Sequence, residues 1–190
     1  EQSADGMIYL AASLKDSFLQ EMEKEDYPFI LVGHSAENVD LPLLKGDDFK
    51  GAKLATEHLI KLGHRVIGHV AGSPELSNGI DLRAGYGAAI KKAGLLENPA
   101  LVLYGNFDTE EAEKATESLP QYKVTAIFAA SDIMAYGVLQ ALKKTNRRVP
   151  EDVAVVGMDD LEMSSWTNPS LTTVRYDIRQ MAELAAKFII

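Results

Sequence analysis

The chain is 190 residues long, is 46% hydrophobic and contains no cysteine. This hydrophobic share is enough to bury a core, and the missing cysteines exclude disulfides, thiolate metal sites and cysteine nucleophiles. The formal net charge of -9 offers no basic excess to neutralise phosphates, so these residues alone are expected to bind duplex DNA poorly.

Short apolar segments alternate with segments of helical periodicity along the chain. The apolar segments are rich in β-branched residues and apolar on both faces, which is typical of strands in a buried parallel sheet. They predict strands at Gly6–Ala11, Phe29–Gly33, Val66–Ala71, Leu101–Tyr104, Val124–Ala129 and Val153–Gly157. Helices are predicted between them at Leu14–Lys24, Asp48–Leu62, Ile80–Ala93, Thr109–Leu119, Asp132–Lys144 and Ile178–Ile190. This alternation predicts an α/β fold with doubly wound parallel sheets.

Helix ends are marked by residues with known capping preferences. Gly63 and Gly94 follow two of the predicted helices and fit C-terminal stops, because glycine adopts the left-handed conformation readily. Asp47, Asp108 and Ser131 precede three others and are predicted N-caps.

Loops at the carboxyl ends of parallel strands are where doubly wound folds bind ligands. Met158–Ser170 follows a predicted strand and contains no periodic segment, so we predict a long irregular loop there. Three shorter strand-end segments, Ser73–Gly79, Gly105–Asp108 and Ala130–Asp132, are expected to share its edge of the sheet.

The common enzyme motifs are missing from the sequence. There is no phosphate-binding P-loop, no dinucleotide-binding glycine pattern and no nucleophile elbow. His64 and His69 are five residues apart, which does not fit the one-face pair of a zinc-binding helix, so we expect no metal. Asp159 and Asp160 could suggest acid/base chemistry, but no partner base is evident. We therefore expect no cofactor and no catalysis, with a doubly wound enzyme kept as an alternative.

Asp159 is the leading candidate for a binding residue. It follows a predicted buried strand, and its carboxylate can accept hydrogen bonds from two neighbouring hydroxyls of a sugar. The alternative is an aspartate that only caps the loop, a role that we assign instead to Asp160. Ser131 begins the next helix and either caps it or faces a ligand.

Five segments, in order and over nearly the whole chain, resemble the lactose-repressor/galactose-repressor (LacI/GalR) family of bacterial transcription regulators. These segments are Asp47–Arg65 (DDFKGAKLATEHLIKLGHR), Ala71–Ser73 with Arg83–Tyr86 (AGS…RAGY), Val124–Ala135 (VTAIFAASDIMA), Val149–Asp160 (VPEDVAVVGMDD) and Pro169–Val174 (PSLTTV).

The resemblance implies a periplasmic-binding-protein-like fold of type I, in which two α/β lobes flank a ligand cleft. Residues 1–63 and 174–190 would form one lobe and residues 64–173 the other, joined by hinge strands at Gly63–His64 and Thr172–Val174. The family's first strands and its DNA-binding helix-turn-helix are expected to precede Glu1, which would leave the first lobe incomplete.

The resemblance also implies site residues. In the family the aspartate at the position of Asp159 contacts effector, and the residue at Ser131 is often an asparagine that does so. An aromatic residue at the position of Phe107 packs on the ligand, although this ring could instead belong to the core. Tyr176 is expected beside the cleft, and Asn78 falls where the family has a small polar contact.

The main departure from the family concerns its ligand-binding arginine. The residue three positions before the motif glycine is Leu82 here, and the arginine is Arg83. One residue turns a helical side chain by about 100°. Arg83 is therefore predicted either to face solvent or, after a compensating change in the preceding loop, to contact the ligand. Trp166, in the long loop, is expected to pack on the surface rather than to stack on a ligand.

The function implied is the effector-sensing domain of a cytoplasmic, homodimeric repressor that binds a sugar-like metabolite and reaches DNA only through a separate helix-turn-helix. The alternative is an exported sugar-binding protein of a transporter, which shares the fold. No membrane contact is expected, because no apolar run is long enough to cross a bilayer.

Overall fold

The computed structural model describes residues 4–10, 12–25, 27–119 and 123–190. These residues form two compact α/β units. The first unit lies within Glu1–Asp47, Pro74–Asn78 and Tyr176–Ile190, and the second comprises Asp48–Ser73 and Gly79–Arg175.

The first unit contains a three-stranded parallel sheet of order β1-β2-β3. Its strands are β1 (Met7–Leu10), β2 (Phe29–Val32) and β3 (Leu43–Leu44), and its helices are α1 (Ser17–Met22) and α6 (Ile178–Ile189). The small core consists of Ala12, Leu19, Phe29 and Leu31. Helix α6 packs on β1 and β2, where the side chain of Ile189 lies against Gly6.

The second unit contains a five-stranded sheet of order β5-β4-β6-β7-β8, in which all four pairings are parallel. Its strands are β4 (Ile67–Ala71), β5 (Val102–Tyr104), β6 (Ala126–Ala129), β7 (Ala154–Asp159) and β8 (Thr172–Arg175). Its helices are α2 (Asp48–Lys61), α3 (Ser77–Lys92), α4 (Thr109–Thr116) and α5 (Asp132–Lys144). The first two residues of α3 belong to the first unit, and the second unit contains α3 from Gly79 onward.

Every residue of β4 and β6 is buried, which explains why these strands are apolar on both faces. Helices cover both faces of the sheet at β7. Val156 lines a small cavity together with residues of α2, and the next residue, Gly157, lies against Asp132 and Ala135 of α5. Consecutive strand residues point to opposite faces, so α2 and α5 lie on opposite sides.

All six predicted helices and all six predicted strands are present, with ends shifted by up to three residues. Ala11, at the end of the first predicted strand, lies outside the described residues. The glycine stops are confirmed, since Gly63 and Gly94 both have positive φ. Asp108 and Ser131 are N-caps whose side chains accept hydrogen bonds from the helix backbone.

The prediction of an irregular Met158–Ser170 loop was wrong in part. Strand β7 continues through Asp159, and a 3-10 helix forms at Glu162–Ser165. The buried hydroxyl of Ser164 anchors this short helix by donating to the Asp132 carboxylate, 2.6 Å away. Such a tertiary anchor leaves no periodic pattern in the sequence.

The boundaries of the units differ from the expected lobes. Helix α2, expected in the first lobe, belongs to the second unit, because its buried residues Ala52, Ala55 and Leu59 face β6, β7 and β8. The segment expected to form a hinge, Thr172–Val174, lies within β8, the edge strand of the second sheet.

Candidate functional site

The five parallel strands of the second unit end at one edge of the sheet, which we call the carboxyl edge. It is formed by the residues that follow β4, β5, β6 and β7, together with the end of β8. The loop after β5 contacts the loop after β4, because the ring of Phe107 lies directly over Gly72, where a Cβ atom would overlap it. The fold therefore brings three of the four predicted strand-end segments to this edge, with only Ser73 and Gly79 of the fourth, since Pro74–Asn78 belong to the first unit.

Backbone strain is concentrated at this edge. Asn106, Phe107, Asp159 and Asp160 have φ values of 48°, 61°, 119° and 58°, in the left-handed region that non-glycine residues rarely adopt. Such residues cost about 1–3 kcal/mol each and persist where surrounding structure or function requires them. The loops after β5 and β7 are thus held in specific, strained conformations.

Asp159 ends β7 at this edge and is only partly exposed. The pKa of its carboxyl is raised from 3.8 to about 7, chiefly by burial and also by the nearby carboxylates of Asp132 and Asp48, while a hydrogen bond from the Asp132 backbone acts in the lowering direction. At neutral pH this carboxyl therefore exchanges its proton readily and can act as hydrogen-bond acceptor or donor. Within the described part of the chain, no group of three or more histidine, aspartate or glutamate side chains could hold a metal ion.

Asp132 organises the loops around Asp159, a role that the sequence analysis did not predict. Its side chain is fully buried and accepts hydrogen bonds from the Leu161 amide at 2.9 Å, the Ser164 hydroxyl at 2.6 Å and the Thr173 hydroxyl at 2.6 Å. Gly157 is required beneath it, because a Cβ atom there would strike the carboxylate. One side chain thus joins α5, the loop after β7 and strand β8. The only signal in the sequence was its place directly after a predicted N-cap.

The sequence analysis assigned a loop-capping role to Asp160, and the structure does not show one. Its carboxylate pairs with Arg175 at the end of β8, and its amide donates to the Thr173 hydroxyl at 3.3 Å. The 3-10 helix that follows begins after Leu161 without any side-chain cap. The preference for pairing follows from the parallel register, which sets β8 beside β7 at this point.

Ser131 and Phe107 both lie at the carboxyl edge, and Ser131 fulfils its alternative role as a helix cap. The Ser131 hydroxyl accepts a hydrogen bond from the Met134 amide at 3.1 Å and so caps α5, which leaves its own proton able to donate. Phe107 is partly exposed and packs on Gly72 with one part of its ring. Their contact with a ligand remains a prediction.

The structure does not bring Arg83 to this edge. Its guanidinium pairs with Glu97 and lies 5.6 Å from the centre of the Tyr86 ring, whose hydroxyl donates to Ile67 at the start of β4. Glu97 precedes β5, so this ion pair lies toward the amino-terminal ends of the strands. Leu82, at the family's arginine position, is buried. Neither Leu82 nor Arg83 therefore places a guanidinium at the carboxyl edge.

Tyr176 and Asn78 belong to the first unit. The ring of Tyr176 packs against Gly46 so closely that a Cβ atom there would overlap it. Asn78 lies in the first turn of α3. Their contact with a ligand also remains a prediction. Trp166, at the end of the 3-10 helix of the second unit, is 71% exposed.

Comparison with known proteins agrees with this architecture. The sequence pattern of the periplasmic binding protein-like domain family matches residues 56–190. A repressor PurR of Aliivibrio salmonicida is 30% identical over the whole chain, and the regulator CelR of Thermobifida fusca is 32% identical over the whole chain. The chain spans 58% and 57% of these two relatives, which is somewhat more than half of their length.

Solved structures give the same result. A CelR–cellobiose complex is 33% identical with a TM-score of 0.89, covering 97% of this chain and 59% of the other. A transcription regulator from Lactobacillus plantarum is 30% identical with a TM-score of 0.92, covering 99% and 72%. The chain therefore belongs to the periplasmic-binding-protein-like domain family, as a LacI/GalR-type effector-binding domain. None of its described helices is both long and apolar enough to cross a membrane.

Proposed function

We propose that this chain is the effector-sensing part of a bacterial transcriptional repressor and that it binds a sugar-like metabolite at the carboxyl edge of the second unit. The observation that carries the proposal is the set of strained loops around Asp159, a partly buried carboxyl whose pKa is about 7. The relatives support the same assignment, since PurR and CelR are transcription regulators and CelR was solved with cellobiose.

The proposal includes neither catalysis nor membrane contact. A repressor domain of this kind acts by binding its effector more tightly in one of two conformations, which shifts their populations. DNA would be read by a separate helix-turn-helix in the cytoplasm, because this acidic chain has no charge excess to hold phosphates. A transporter's binding protein is disfavoured, since the relatives named above are regulators.

A thermal-shift screen of sugars, sugar phosphates and purines tests the proposal. A ligand well above its dissociation constant raises the melting temperature by mass action. We expect Asp159→Ala to weaken binding of any hit by about tenfold or more, because a hydrogen bond to a charged group contributes about 1.5–3 kcal/mol.

The matched control is Asp160→Ala, which removes the adjacent carboxylate that pairs with Arg175. It should bind the hit almost normally. Equal stabilisation of wild type and Asp159→Ala by the hit would rule out the assigned site.

We also propose that the chain forms a homodimer through a groove of about 890 Å³ beside α5. Ile133 and Met163 line the groove and are 37% and 48% exposed. Its wall also carries Arg148 and Glu151, so each copy presents both signs of charge, which suits the self-complementary surface of a two-fold interface.

Sedimentation velocity over a range of concentrations tests the dimer. Met163→Glu places a charge in the groove and should weaken self-association at least about tenfold, because desolvating an unpaired charge is costly. Leu96→Glu, at a residue that is 91% exposed and outside the groove, is the control. A dimer insensitive to Met163→Glu would place the interface elsewhere.

A further inference from the structure

The carboxyl edge contains the buried carboxyl group of Asp132, whose hydrogen-bond donors carry no charge. Asp132 accepts three hydrogen bonds, all from neutral donors, namely one amide and two hydroxyls. Both oxygens of its carboxyl group act as acceptors in these hydrogen bonds, as the oxygens of a carboxylate do. Because its side chain is fully buried, the charge of the carboxylate acts through a medium that screens it less than water does.

The Asp132 side chain also acts on Asp159. Burial is the main cause of the raised pKa of the Asp159 carboxyl, the Asp132 carboxylate is the next, and Asp48 acts in the same direction. These two groups come from α5 and α2, which pack on β7 from its two sides. A group bound at the end of β7 would therefore experience the same negative potential.

The arginines that could offset this potential are engaged elsewhere. On the neighbouring strand, Arg175 is paired with Asp160, so the two together add no net charge. Arg83 pairs with Glu97 toward the opposite edge of the sheet. A phosphate or carboxylate group usually needs such a guanidinium or a comparable cation.

We propose that Asp132 determines specificity without touching the ligand, by making the carboxyl edge select an uncharged polyhydroxylated ligand over its phosphorylated counterpart. The inference rests on the proposed function, since it assumes that the effector binds at this edge. The hydroxyls of an uncharged ligand can donate to Asp159, whereas a phosphate dianion offers no donor and is repelled. Like charges brought together cost enough to lower affinity by about 100-fold or more.

Isothermal titration calorimetry on the 190-residue chain tests this with matched probes: cellobiose, glucose with glucose 6-phosphate, fructose with fructose 6-phosphate, and adenosine with adenosine monophosphate. We expect at least one uncharged member to bind about 100-fold or more tightly than its phosphorylated partner. A phosphorylated member that binds as well or better would overturn the selectivity. Failure of every probe to bind would instead overturn the proposed function, so the two failures are distinguishable.

The role of Asp132 is tested by Asp132→Asn and by the smaller Asp132→Ser, whose hydroxyl can rotate to accept a hydrogen bond. Either variant that retains native circular dichroism should lose about tenfold of the discrimination against the phosphorylated probe. Thr173→Val removes one neutral donor but keeps the charge, so it should retain the discrimination. Unchanged discrimination in a folded Asp132 variant would refute this role, and the wild-type comparison decides the ligand class even if both variants unfold.

Discussion

Replacing Asp159 by asparagine should change how the stability of the protein depends on pH. The carboxyl has a pKa of about 7 in the folded chain against 3.8 ordinarily. Between these values the folded state binds more protons than the unfolded state, so the free energy of unfolding falls as pH rises from about 4 to about 7 and levels off above that range. The full difference corresponds to about 4 kcal/mol at about 1.36 kcal/mol per pH unit. Because water reaches part of this side chain, we expect about 1–3 kcal/mol.

Urea unfolding at pH 5, 6, 7 and 8 measures this effect. Wild type should lose about 1–3 kcal/mol relative to Asp159→Asn between pH 5 and pH 8, and the variant should be the more stable protein at pH 8. Asp160→Asn is the matched control and should retain the wild-type dependence on pH over this range. Parallel curves for wild type and Asp159→Asn would refute the assignment of the raised pKa to this residue.

Three other substitutions test further parts of the structure. His69 is fully buried, and burial lowers its pKa to about 4. Below pH 6.5 the imidazole gains a proton when the chain unfolds, so the free energy of unfolding should fall by up to about 3 kcal/mol between pH 6.5 and pH 4. His69→Gln should remove this loss in acid denaturation curves. Gly157→Ala should destabilise the chain by about 2 kcal/mol or more in urea, because the new methyl meets a buried carboxylate, whereas Gly68→Ala, 3.2 Å from a side-chain methyl, should cost clearly less. Gly72→Ala should destabilise the wild-type chain by about 1–3 kcal/mol, because the new methyl meets the Phe107 ring, but should cost little in a Phe107→Ala background. Additive effects of the two substitutions would contradict the contact between residue 72 and the Phe107 ring.

Much of the fold could be predicted from the sequence because it follows from local periodicity. Strands β4 and β6 are buried on both faces and therefore form uninterrupted apolar runs. Helix α5 was predicted with its observed bounds, since Ser131 caps it and its apolar residues recur at helical spacing. The resemblance to regulators supplied the overall architecture.

Other features depend on tertiary contacts that leave little local signal. Strand β3 has only two residues, and the edge strand β8, which starts with two threonines, is less apolar than the central strands. The assignment of α2 to the second unit depends on which sheet its apolar face meets, and periodicity does not specify that.

The candidate site was predictable in position but not in detail. Asp159 could be placed at a strand end from the sequence, and its strained φ and raised pKa arise from neighbours on other elements. Asp132 has three hydrogen-bond donors 29 to 41 residues away in sequence, so its role became visible only in the structure. Arg83 was directed away by Glu97, 14 residues later.

The most direct test of the account is amide chemical-shift mapping by NMR with the best ligand from the thermal-shift screen. We predict that the largest changes fall on the residues that follow β4, β5, β6 and β7, with Asp159 and its neighbours among the strongest. Changes confined to the groove beside α5 or to the amino-terminal ends of the strands, with the carboxyl edge unaffected at saturation, would contradict the account.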